Sequence, residues 1–170
     1  MTTRRQALTA FGIVAAHPAS AFAADEDQGP LKGLVAYQQE VVFGYEVALR
    51  KGPFSRRERQ MLQRFRDDAG QAAAALRKAL EDAGGKPAAR PDPAAAPPPG
   101  DPSKRGYLAD LMRAEQLAVG GYYAALQTLE DERHLRGAAA FMAQAGRRLV
   151  VLRGLAGKPL LPRAFETGTA

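Results

Sequence analysis

The sequence predicts an all-α protein, a four-helix bundle made of two helical hairpins joined by a long proline-rich crossover. Three observations carry that prediction. From Leu31 onward apolar residues recur at spacings of three and four, the period of one helix face, and no run alternates as a strand would. Glycine and proline break this pattern at Gly52-Pro53, at Gly84-Gly85 and at Gly157 with Pro159, where helices stop. Seven of the chain's twelve prolines fall in GGKPAARPDPAAAPPPGDPSK, residues 84–104, and so dense a run favours an extended segment over a helix.

Residues 1–23, MTTRRQALTAFGIVAAHPASAFA, combine a charged start, an apolar run from Ala7 to Ala16 and Ala21-Phe22-Ala23 ahead of an acidic stretch. This is the three-part layout of a cleaved export signal, with cutting expected after Ala23. Arg4-Arg5 followed by Leu8 matches the twin-arginine type of signal, which carries folded cargo. The apolar run is shorter than the ~20 residues a spanning helix needs. A signal is therefore favoured over a membrane anchor, the mature chain 24–170 is expected to hold no transmembrane helix, and its place is the periplasm, the cell envelope or the exterior.

The helices follow in order. Helix 1 is expected over 31–50, with Leu31, Leu34, Gln38, Val41, Tyr45 and Leu49 on its inner stripe. Ser55 is placed to cap helix 2, with Glu58 three positions on as its capping-box partner. That helix runs to Ala83 with Leu62, Phe65, Ala69, Ala72, Leu76 and Leu80 inward. Helix 3 is expected over 104–130, presenting Leu108, Leu111, Glu115, Val119, Tyr122 and Leu126, and helix 4 over 133–156, presenting Phe141, Ala145, Arg148, Leu152 and Leu155. A helix as long as helix 2 spans ~40 Å, and an extended linker of this size covers ~60 Å. The linker can therefore run the height of the bundle and start helix 3 at the far end.

The two halves also echo each other. FGYEVAL at 43–49 matches GGYYAAL at 120–126, and AALRKAL at 74–80 matches VVLRGLA at 150–156, at offsets of 77 and 76. Two matches at nearly one offset, in corresponding helices, indicate an internal duplication. Glu115-Gln116 leading into Gly121-Tyr122-Tyr123, the helix 1 counterpart of that run, the Ala-rich second helices and the tail Pro162–Glu166 together resemble a secreted member of the ferritin-like superfamily over about residues 31–166.

That resemblance implies a di-iron or di-manganese centre inside the bundle, with one Glu from each first helix and a Glu-x-x-His from each second helix. The internal alignment puts the single-Glu positions at Gln38 and Glu115, and the Glu-x-x-His positions at Ala69/Ala72 and Ala145/Arg148. A one-residue shift gives Asp68/Gln71 and Gln144/Arg147, which restores no histidine. The chain has two histidines, His17 in the signal and His134 at the expected turn between helices 3 and 4. No metal and no cofactor is therefore expected. Instead Arg148 is expected to stand where the ions were and to pair with Glu115, while Gln38 and the hydroxyl of Tyr45 or of Tyr122 satisfy the remaining donors. The competing arrangement is a helix 4 rotated enough for Arg148 to reach water.

Composition narrows the function further. The chain has no cysteine, which removes thiolate metal sites and disulfides. Without residues 1–23 it carries 22 basic and 18 acidic residues, a mild net +4 spread over helices, so nucleic acid is not an expected partner. SRRERQMLQRFRDD at 55–68 alternates Arg with acids and reads as a solvated face, Tyr122-Tyr123 as core and His134 as an ordinary loop histidine. No phosphate loop, nucleophile elbow or triad spacing is present. The expected function is a non-catalytic structural or binding module of the cell envelope, with self-association through helix faces left open. The alternative is a redox or metal-handling protein built on Glu40, Glu46, Asp68 and Glu115.

Overall fold

A computed structural model describes residues 26–94, 96 and 100–160. Four helices follow one another: α1 (Gln28–Lys51), α2 (Arg56–Asp82), α3 (Lys104–Ala125) and α4 (Glu132–Leu155). The signal segment 1–23 and the tail Pro162–Glu166 lie outside the described residues.

Helix boundaries follow local chemistry. α1 begins three residues ahead of expectation, because Pro30 falls in the first turn, where its missing N–H has no helical partner to lose. The Ser55 hydroxyl accepts from the Glu58 amide, and the Glu58 carboxylate accepts from the Ser55 amide. That is a complete capping box at the head of α2. α2 ends where Gly84 takes a φ of +82°, a left-handed conformation that glycine adopts without a Cβ clash. Ser103 and Asp131 cap α3 and α4 through their side-chain oxygens.

α1 and α2 form one antiparallel hairpin, α3 and α4 the other, and α1 lies antiparallel along α3 between them, while α2 and α4 touch only slightly. The crossover descends beside α1. Gln39 Nε2 donates to the Ala88 carbonyl (3.3 Å), Arg90 pairs with Glu46, and Lys51 Nζ donates to the Ala96 carbonyl (3.1 Å). It delivers Lys104 to Glu58 at the head of α2. The core runs the length of the bundle, with Leu31, Leu34, Leu62, Leu80, Leu108, Leu111 and Leu152 fully enclosed. No described helix is long and apolar enough to cross a membrane.

Four expectations are corrected. Helix 3 stops at Ala125 rather than near residue 130, although Leu126 and Leu129 continue its apolar spacing. The amides of Glu130 and Asp131 are instead taken by the Asp27 carboxylate at 2.7 and 3.1 Å, which holds the turn into α4. His134 is no loop histidine: it sits in the first turn of α4 with Nδ1 2.6 Å from Asp27 Oδ2. On α3 the inward residue near position 119 is Ala118, with Val119 half-buried, and Tyr123 is 64% exposed while Tyr122 is enclosed.

Candidate functional site

Five polar side chains meet midway along the bundle, one or two from each of α1, α3 and α4. Gln38, Tyr45, Glu115 and Tyr122 are at most 1% exposed, and Arg148 is 3% exposed. Arg148 Nε donates to Glu115 Oε1 at 2.6 Å and its Nη2 to Oε2 at 3.0 Å, a side-on bidentate pair. The Tyr45 hydroxyl donates to the same Oε1 at 2.7 Å. The Tyr122 hydroxyl donates to Gln38 Oε1 at 2.9 Å, and Gln38 Nε2 donates to the Ala69 carbonyl of α2 at 3.2 Å.

These bonds exchange partners between the halves. Tyr45 on α1 reaches Glu115 on α3, and Tyr122 on α3 reaches Gln38 on α1; both tyrosines, and Gln38 with Glu115, are related by the 77-residue offset. Phe65 stands edge-on to Tyr45 at 6.2 Å, and Phe141 lies tilted against Tyr122 at 6.4 Å. The symmetry fails at one place. Arg148 corresponds to Ala72, so one half carries a Gln with Ala and the other a Glu with Arg.

Electrostatics follow from enclosure. Burial, and then the neighbouring Glu115 charge, push the Tyr45 phenol well above its ordinary range, so it stays a proton donor. Burial does the same to Tyr122, with Arg148 opposing and Glu115 assisting. Burial alone would lower the Arg148 pKa, but the hydrogen bonds and charge of Glu115 carry it above its usual value. Arg148 Nη1 is buried without a partner among the described residues. A side-on pair turns that nitrogen away from Glu115 on α3.

The residues present do not fit a dimetal centre. Among the described residues Glu115 is the only carboxylate at the centre and its oxygens are already engaged, Ala69, Ala72 and Ala145 supply no ligand, and a guanidinium stands beside the carboxylate. The other acids named from the sequence do not converge on it. Glu40 is exposed on the far side of α1, Glu46 pairs with Arg90, and Asp68 is exposed between α2 and α4. Among the described residues no group of three or more His, Asp or Glu is placed to hold an ion.

Two structural contacts carried no signal in the sequence. Asp27, fully buried, ties the start of α1 to the α3–α4 turn and to His134. Arg59, from the segment read as a solvated face, donates to the carbonyls of Leu49, Gly52 and Phe54 and so satisfies the C-terminal end of α1.

Fold and centre together define a four-helix bundle whose interior is closed by a hydrogen-bonded charge pair. No protein-family model matches the chain, and comparison with curated proteins finds no match.

Proposed function

We propose that this chain is an exported ferritin-like protein whose dimetal centre has been replaced by side chains, and that it works as a non-catalytic structural or binding module of the cell envelope. The observation that supports this reading is the Glu115–Arg148 pair, flanked by Tyr45, Tyr122 and Gln38 and enclosed midway along the bundle, where the resemblance would put the ions. The partner exchange between residues 77 apart supports a duplicated ancestor with two equivalent half-sites. One half-site has Gln38 and Ala72 in place of the ligands, and the other keeps Glu115 and has Arg148 in place of the histidine, so the one carboxylate is matched by one guanidinium with no added ion. Export rests on residues 1–23, with their paired arginines and Ala-Phe-Ala ending.

One preparation tests both parts. The protein is purified from fractionated cells expressing the whole chain, its N-terminus is sequenced, and iron and manganese are counted after exposure to Fe(II) and Mn(II) and desalting. The expected result is a chain in the envelope fraction beginning at Ala24, with far less than one metal per chain. One or two tightly held ions per chain would sink the replacement reading. A cytoplasmic chain that retains residues 1–23 would sink export.

A further inference from the structure

The outer face of the α1–α3 seam is unlike the rest of the surface. Of the five large apolar residues exposed among the described residues, Tyr37 and Leu117 rim one groove of about 500 Å³ on this face. Glu40, Asp110 and Arg113 stand on the same rim, all exposed. None of these three makes an ion pair among the described residues, whereas Glu46, Glu58 and Asp131 each do. The exposed Tyr37 is also held in place. Its ring lies against α3 where residue 121 is glycine, and a Cβ there would come within 2.4 Å of the ring. A fixed, exposed aromatic loses little entropy when it is covered.

We propose that this groove is a self-association surface, on which a second copy of the chain closes a two-fold dimer with each Arg113 paired to the partner's Glu40. The register comes from contacts within the bundle. Tyr45 meets Glu115, Gly44 faces Leu111, and Tyr37 meets Gly121. Glu40 is thus level with Leu117, and Arg113 lies one turn away, ~6 Å along the axis. A two-fold axis parallel to the helices lays α1 of each copy over α3 of the other at matching levels. Leu117 then enters the partner's groove between Tyr37 and Gly44, and Arg113 reaches the opposing Glu40 across one turn. A patch that carries both the cation and its counter-ion is self-complementary, as an isologous contact requires.

Two other occupants fit less well. A small molecule is normally enclosed over most of its surface, and here Tyr37, Glu40, Asp110, Arg113 and Leu117 are all exposed rim. An anionic lipid surface would be repelled by the two unpaired carboxylates.

Sedimentation equilibrium on the purified protein from about 1 µM to about 1 mM tests the proposal. A monomer–dimer equilibrium is expected, weakened at least about thirtyfold by Leu117→Glu. Glu40→Arg and Arg113→Glu should each weaken it, and the double charge swap should restore it. All three side chains are exposed, so each variant should keep the native circular dichroism and melting curve. A protein that stays monomeric throughout would overturn the proposal, as would a dimer indifferent to Leu117→Glu or a double swap that rescues nothing. Binding of the monomer to phosphatidylglycerol vesicles, lost in Leu117→Glu, would overturn it in favour of a membrane surface.

Discussion

A carboxylate moved from water into the middle of a helix bundle loses hydration worth several kcal/mol, and at Glu115 three donors offset the loss: Arg148 Nε, Arg148 Nη2 and the Tyr45 hydroxyl. Such a pair need add no net stability, but either half alone is costly. Glu115→Gln leaves a buried guanidinium without a counter-charge, and Arg148→Met leaves a buried carboxylate held by one phenol. Each single change is expected to destabilise the protein by ~3–5 kcal/mol in urea unfolding. The double variant should recover most of that, because the amide oxygen introduced by Glu115→Gln still accepts from Tyr45 and the second half comes to resemble the Gln38–Ala72 half. Additive single effects would show that the two charges do not depend on each other. The inner positions of Gln38, Glu115 and Arg148 are legible in the sequence, because period and stripe fix which face a residue occupies. The exchange of Tyr45 and Tyr122 between halves is not, because it depends on how α1 and α3 meet in space.

At the head of α2, one carboxylate serves two elements. Glu58 accepts the Ser55 amide, completing the cap, and accepts from Lys104 Nζ in the first turn of α3 at 2.5 Å. The Lys104 bond, followed by those from Ser55, holds the Glu58 pKa at about 2, below the 4.5 of a free glutamate. A carboxyl whose folded pKa is depressed contributes stability above its unfolded pKa and loses it as pH falls through the folded one. The contribution of Glu58 is therefore present above about pH 4.5 and drains away between there and about pH 2. Thermal melts of Glu58→Gln should differ most from the parent above pH 4.5 and converge with it near pH 2; a constant difference across that window would contradict this role. The capping box is readable in the sequence, since Ser55 and Glu58 are three apart. The end of α3 is not, because it stops on an alanine with leucines continuing the period, and the cause is Asp27, about a hundred residues away. Arg59 is hidden in the same way: an arginine among arginines and acids looks like surface until the carbonyls of α1 are placed beside it.

For the whole molecule, the crossover has to reach from the end of α2 to the opposite end of the bundle. α2 spans Arg56–Asp82 and α3 begins at Lys104, so the bundle is ~40 Å tall and residues 83–103 could extend to ~70 Å at ~3.3 Å each. The segment therefore has slack. It is tacked to α1 by Gln39, Glu46 and Lys51 rather than stretched along it. Loop length costs little free energy once the ends can meet, only a few tenths of a kcal/mol for small changes. Removing Pro97, Pro98 and Pro99 leaves ~60 Å of reach and should barely move the melting temperature. Removing residues 87–100 leaves ~25 Å, too little to bring Lys104 to Glu58 in the same chain. The second hairpin of that variant can then join a bundle only by crossing to another copy, because each hairpin alone lacks the α1–α3 contact and half of the central charge pair's surroundings. Light scattering should report an interlocked dimer of near-native helicity that does not dissociate on dilution, or else an unfolded chain. A stable native monomer after that deletion would mean that α3 does not need to start beside the head of α2, and would overturn the crossover topology itself.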